Sequence, residues 1–422
     1  IQLLNLTTDQ IVAMTTDQIR ALSDKQIGAM STAQIHVLKD DQAAAIAATS
    51  IKGLTTDKIQ ALLPTSFAAF TSAQIANLTD KQLNQLTTDE IAALDEDQVR
   101  AISFAALANL SIDQITHFTV DEIAELTTYQ IKALTTLQIH ELATNQIAAL
   151  TTNQIKTLSD KQIGAFKTEQ FNALNDEQTA AISATSIKGL TSANLEALKL
   201  DSFAAFTTAQ VWGLTSTQLN QLATSKIHIL NESQVQALSN TALAGLNTDR
   251  LAALSEDAFA ALSTAQMRAL TTLQISTLNS MQLSALTATQ INALLDKQIT
   301  ALQPGQFTSL TQDQIVAISS SAIKGLTTDD LDQMSTQNFS AFTTAQIAAL
   351  TPKQLRSLKT DKVHSLSPDQ ILGISAASIG VFDSLQMKAI DPDTVALMSA
   401  SQISHLTSDQ ITYLTTDQIK AL

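Results

Sequence analysis

The sequence predicts an all-α solenoid of very short capped helices, one per eight residues, forming an elongated superhelical rod. Three observations carry that prediction: an octad repeat with no insertion, large apolar residues three apart within it, and a helix-start signal at the head of most octads. From Thr7 the chain divides into 52 consecutive octads ending at Leu422, and the commonest form reads T-T-D-Q-I-A-A-L. Residues 1–6 fit as the tail of one more. Glycine appears 10 times and proline 5 times in 422 residues, far below average usage of about 7% and 5%. That scarcity argues against the turns and hairpins of a sheet-rich fold.

Each octad position has its own physical task. Position 1 is Ser, Thr, Asn or Asp in 42 of the 52 octads, the side chains that accept from an orphaned backbone N–H at a helix start. Position 2 holds all five prolines, Pro64, Pro304, Pro352, Pro368 and Pro392; at the first helical residue a missing N–H costs nothing. Position 3 is often Asp, as in Asp9, Asp17 and Asp417, a first-turn charge that the helix dipole favours. Position 4 is Gln in 33 octads and Glu in two, Glu90 and Glu122. With position 1 it spells the capping box, in which the position-4 side chain reaches back to the N–H of the cap residue.

Position 5 is large and apolar except at Ala43 and Thr179, and position 8 is Leu, Ile, Met or Phe throughout. A spacing of three puts both on one helix face, whereas on a strand they would face opposite sides. Position 8 of one octad and position 5 of the next form a hydrophobic staple across the cap, as Leu6 with Ile11 and Leu22 with Ile27. Position 6 varies freely among Arg20, His36, Lys52, Asn84 and Trp212, as a solvent-facing site does. Position 7 is mostly Ala or Gly, for example Ala13, Gly53 and Ala421, which lets helices approach closely.

One unbroken helix is excluded, because eight residues at about 100° each overshoot two turns by roughly 80° and the apolar stripe would spiral. The helix therefore restarts in every octad. A helix of about six residues is roughly 9 Å long, too short to stand alone in water, so several octads per superhelical turn must share a core lined by positions 5 and 8.

A longer period lies above the octad. Ser23–Ala29 returns at Ser159–Ala165 and more loosely at Leu295–Ala301, and Ile51–Thr55 returns at Ile187–Thr191 and Ile323–Thr327. The expected organisation is one continuous array over 1–422 with approximate 17-octad super-repeats at 7–142, 143–278 and 279–414. The chain opens in mid-octad without methionine and reads as a segment of a longer array.

Composition narrows the function classes. Net charge is −15 with Lys and Arg scattered singly, so no basic stripe exists to neutralise phosphates and nucleic acid is a poor partner. There is no cysteine, which removes disulfides, thiolate zinc sites and cysteine nucleophiles. No run of about 18 apolar residues suggests a membrane span, and no signal-peptide pattern opens the chain.

His36, His117, His140, His228, His364 and His405 sit at positions 6 or 7 without a second ligand at metal spacing. They read as surface histidines. The recurring Asp suits the dipole better than a calcium loop, which needs clustered oxygens and a glycine turn. Ser and Thr are placed as caps, and no nucleophile elbow, P-loop or dinucleotide fingerprint occurs. No catalytic, cofactor-binding or metal-binding residue is expected, and no cofactor.

Octads lacking Gln recur in phase: Ser50, Lys58 and Ser66, then Ser186, Asn194 and Ser202, then Ala322, Asp330 and Asn338. They mark either a contact face or bend or, the preferred reading, inheritance from an ancestral duplication. Asn5, Asn77, Asn109, Asn231 and Asn338 head N-x-S/T triplets, which a Thr-rich chain also makes by chance.

Octads such as Thr127-Thr128-Tyr129-Gln130-Ile131-Lys132-Ala133-Leu134 and Thr343-Thr344-Ala345-Gln346-Ile347-Ala348-Ala349-Leu350 resemble the L-T-T-x-Q-I-x-A-L repeat tracts of very large secreted bacterial surface proteins, which often look like adhesins exported by type I secretion. The resemblance covers the whole chain and implies an extender role outside the cell. The glycine-rich calcium nonapeptides common in such proteins are absent, so a calcium-folding role is not carried over. The expected function is a non-enzymatic extracellular rod or fibre subunit at a bacterial cell surface, with self-association or further copies of the array as partners. The alternative is an adhesin-type module that recognises a glycan or surface through its exposed ridge.

Overall fold

A computed structural model describes residues 3–422. Each of the 52 octads forms one short helix: 50 are α-helical and two, Ala48–Gly53 and Pro304–Ser309, are 3-10, while Leu3–Asn5 adds a 3-10 turn in the preceding octad tail. No strand occurs among the described residues, so the chain is an all-α short-helix repeat solenoid. Helices are four to six residues long.

The local chemistry repeats faithfully. Thr135 has extended backbone (φ −70°, ψ 158°) and caps the helix Thr136–Glu141. The Gln138 N–H donates to Thr135 Oγ1 at 3.1 Å, and the Thr135 N–H donates to Gln138 Oε1 at 2.8 Å. At the far end the position-8 N–H closes a tight turn onto the position-5 carbonyl, as Leu134 does onto Ile131 at 3.3 Å. Position 8 then turns extended, Leu134 with ψ 133°. Two extended residues thus separate consecutive helices and bend the chain at each junction.

The two 3-10 octads have local causes. Ala47 and Ser50 replace the capping pair in the first. In the second, Gln303 lends no side-chain cap and Gly305 sits in the first turn, where glycine disfavours an α-helix.

The described chain comprises two compact units, Ile1–Gly213 and Leu214–Leu422. Within each, hydrogen bonds link residues 25 to 31 apart, so one superhelical turn takes between three and four octads. Positions 5 and 8 line the core as expected: Ile131, Ile139 and Ile147 are fully buried, and Leu134, Leu142 and Leu150 nearly so. Ring pairs Phe67–Phe70, Phe203–Phe206 and Phe339–Phe342, with centroids 5.3, 5.1 and 5.5 Å apart, enlarge it at intervals. Each such pair is worth about 1 kcal/mol beyond its buried area.

No residue among those described has positive φ, so glycine does not serve as a helix terminator here. Its task is close approach. A Cβ on Gly53 would lie 2.1 Å from the Asp24 carbonyl oxygen, and one on Gly189 would lie 1.9 Å from that of Asp160.

Candidate functional site

The busiest polar group of the repeat is the position-4 glutamine. Besides holding its own cap, Gln138 is 2% exposed and donates from Nε2 to the carbonyls of Leu107 at 3.0 Å and Leu110 at 2.9 Å. Those acceptors lie 31 and 28 residues earlier, at positions 5 and 8 on the preceding turn. The same bonds recur at Gln74, Gln162, Gln274, Gln354 and Gln418. One amide therefore satisfies an orphan donor at its own helix start, donates to the position-8 carbonyl one turn away, and shares the position-5 carbonyl there with the N–H that closes that helix end. Sequence reasoning found the first half and missed the second. A signal existed: a capping box accepts Glu as readily as Gln, yet the ratio here is 33 to two, and only the amide also donates.

Several octads lacking Gln follow the same rule with other donors. Ser50, Ser66 and Ser186 donate to the carbonyls of Leu22, Leu38 and Leu158 at 2.8, 2.9 and 2.7 Å. Asn194 and Asn338 reach Phe166 and Leu310 at 3.1 and 2.8 Å. Lys58 donates to Gly28 and Lys362 to Met334. Ser202 departs from it and donates to Asp176 Oδ1 at 2.8 Å. Ala322 and Asp330 make no such turn-to-turn bond, Asp330 accepting only from the Thr327 N–H of its own cap; Ser50, Lys58, Ser66, Ser186, Asn194, Ala322, Asp330 and Asn338 are all buried and form no exposed contact face.

Position 6 is mostly exposed, as expected, but several of its side chains also bridge turns, binding the position-7 carbonyl 25 residues ahead. His36 Nδ1 lies 2.8 Å from Ala61 O, His140 Nδ1 2.8 Å from Ala165 O, and His228 and His364 Nδ1 3.2 Å from Ala253 O and Ala389 O. A carbonyl only accepts, so Nδ1 carries the proton in these rings. Asn220, Arg268 and Asn292 make equivalent bonds to Gly245, Ala293 and Ala317. His117 and His405 fold back instead onto carbonyls four residues earlier. The six histidines are thus dispersed along the chain, four of them bridging turns, and no metal-competent group of three or more His, Asp or Glu residues occurs among the described residues.

A compensation shows how the seam tolerates change. Arg250 stands where Gln is usual and donates to Leu222 O from Nε at 3.1 Å and from its terminal nitrogen at 2.9 Å. A guanidinium cannot accept, so the cap N–H of Asn247 donates instead to Asn220 Oδ1 at 2.8 Å. One super-repeat earlier Gln114 is intact and holds the Ser111 N–H itself. There the buried Oδ1 of Asn84, the counterpart of Asn220, has no partner.

Two buried ionisable groups stand in the amide slot with shifted titration. Burial raises the Glu122 carboxyl above its ordinary value, with Glu96 and Asp121 adding to the effect and hydrogen bonds from Thr119 opposing it. It lines an acidic cleft with Leu94, Asp95, Glu96, Asp97, Thr119 and Asp121. Burial lowers the Lys362 ammonium, which also sits 5.8 Å from the Phe339 ring centroid. The position-3 aspartates remain at the surface, and Asp17 and Asp97 pair with Arg20 and Arg100 at 2.9 and 3.2 Å. Asn338, which heads one of the N-x-S/T triplets, is buried and used in the seam. No helix among the described residues is long and apolar enough to cross a membrane.

Six segments, residues 123–160, 142–176, 259–296, 323–360, 340–376 and 387–422, match the family model of the ALTTAQ repeat. The chain is similar to that repeat and carries a repeat-protein signature, the matched segments together covering less than half of it. The six letters correspond to octad positions 7, 8, 1, 2, 3 and 4, as in Ala341-Phe342-Thr343-Thr344-Ala345-Gln346. They span the helix end, the cap and the stapling amide. No curated protein matches the chain.

Proposed function

We propose that the protein is a non-enzymatic structural repeat protein, an extracellular rod or fibre subunit at a bacterial cell surface that spaces or assembles surface material by self-association. The observation that supports this most is the use of polar chemistry: the recurring position-4 groups are consumed in binding each turn to the one before it. A seam repeated at constant register suits a load-bearing extender whose length grows with octad number. Small-angle scattering of the purified chain tests the rod; a maximum dimension several times the cross-section is expected, and a compact globule would overturn it. Immunogold labelling of intact cells tests the location, with label confined to the cytoplasm as the contrary result. Catalytic turnover lost on replacing a single Ser or His would overturn the non-enzymatic part.

A second reading, an adhesin-type module, draws on large apolar side chains left at the surface. Phe104, Tyr129 and Trp212 are 60%, 74% and 62% exposed, and aromatic faces of this kind suit stacking on sugar rings or a surface. Tyr129→Ala combined with Trp212→Ala should then abolish retention on a glycan array, and unchanged retention would remove the reading.

A further inference from the structure

From Leu22 to Met398 every position-8 residue is buried with one exception, Leu174, which is partly exposed. The position-4 side chain 28 residues later, which packs over that carbonyl in other octads, is here Ser202. Its hydroxyl donates to Asp176 Oδ1 at 2.8 Å, and no described residue donates to the Leu174 carbonyl. The counterparts one super-repeat away on either side are closed. Ser66 is fully buried, its Oγ 2.9 Å from Leu38 O and 2.8 Å from Asp40 Oδ1, and Leu38 is 1% exposed. Asn338 holds Leu310 O at 2.8 Å, and Leu310 is buried. The middle super-repeat thus carries a fault in its seam. The fault is a cleft of about 470 Å³ between Ser202 and Leu174, with Leu174 and Leu198 on its apolar side and Asn172, Asp176, Lys199 and Asp201 on its polar side.

We propose that this cleft binds a neutral pyranose, one sugar residue of a surface polysaccharide. Its volume suits a small ligand. The side chains of Asn172, Lys199 and Asp201 make no hydrogen bond or ion pair with a described residue, so they are available to one. Asn172 and Lys199 donate, while Asp201 and the second oxygen of Asp176 accept; a ring hydroxyl does both. The two carboxylates oppose an anion and the Lys199 ammonium opposes a cation, which leaves an uncharged polyol as the matching chemistry. The C–H face of a pyranose covers the exposed part of Leu174, and a hydroxyl supplies the donor that Ser202 withholds from the Leu174 carbonyl. This rests on the glycan-binding reading above but places a site away from Phe104, Tyr129 and Trp212.

Saturation-transfer NMR on the 422-residue chain tests this, with the methyl glycosides of glucose, galactose, mannose and N-acetylglucosamine as probes. At least one should receive saturation from the parent. Ser202→Gln supplies the amide that closes the seam elsewhere, as Gln170 does behind a Lys cap by holding the Lys167 N–H at 2.7 Å and reaching Leu142 O at 2.6 Å. That variant should melt no lower than the parent and lose the glycoside. Lys199→Ala/Asp201→Ala changes two exposed residues, keeps the core, and should weaken binding about tenfold. Saturation of none of the four probes, or binding unchanged in either folded variant, would overturn the proposal. Binding that survives both variants but is lost in Tyr129→Ala/Trp212→Ala would overturn it as well, while keeping glycan recognition at the exposed aromatics, so the cleft and the wider reading fail separately.

Discussion

At the residue scale the amide of Gln does two jobs that no other side chain combines at this length, accepting at a cap and donating across a turn. Substitution should therefore cost different amounts at different depths. Gln138→Ala loses the capping bond and leaves two buried carbonyls without their amide donor, for an expected loss of about 2 to 3 kcal/mol. Gln18→Ala loses only the cap, at most about 1 kcal/mol. Urea titration of both variants measures the difference, and equal losses would show that the turn-to-turn bonds contribute nothing.

Glu122 gives the converse case. Its carboxylate holds the Thr119 N–H at 2.7 Å but has no N–H for the preceding turn. Its pKa is raised in the folded state, chiefly by burial, so its stabilising contribution is present at low pH and is lost as pH rises through the folded value. Glu122→Gln should accordingly stabilise the protein by about 1 kcal/mol at neutral pH. The gain should shrink as pH falls toward the ordinary carboxyl range, where the protonated acid can itself donate. A gain independent of pH would contradict this.

At the element scale each helix is defined by its start. The cap residue is extended, which is the conformation required before proline, and the position-2 N–H is outside the helix ladder. Thr16→Pro should leave the melting temperature within a few degrees of the parent. Ile19→Pro removes the bond from the Ile19 N–H to Thr15 O at 3.0 Å and disrupts a side chain that is 1% exposed; it should cost about 3 kcal/mol or more. Equal melting temperatures would refute the assigned phase. The elements were readable in advance because caps, staples and dipole charges act within three to five residues. What eluded sequence reasoning at this scale was position 6, where variability suggested solvent alone. His36, Asn220 and Arg268 are polar donors of different shape that reach the same kind of carbonyl, and a shared donor capacity leaves little trace in residue identity.

At the scale of the whole molecule the octad is the unit of register. Deleting residues 143–150 joins Leu142 to Thr151 and presents each following turn with the same pattern of donors and acceptors, so a cooperative melt close to that of the parent is expected. Deleting 143–146 alone shifts caps, core and amides out of phase with the turn below. Loss of helical circular dichroism signal over the flanking turns should follow, and a parental melt from the second deletion would argue against register as the organising constraint.

Residue order alone determined the helix phase, the caps, the buried faces at positions 5 and 8 and the absence of strands among the described residues, because each follows from interactions closed within one octad or across one cap. Tertiary structure decided which octads meet. That depends on the sum of small bends at every position 8 and position 1, and neighbouring side chains do not set that sum. Only once it brings residues 28 and 31 apart together does the second end of each glutamine find its carbonyls.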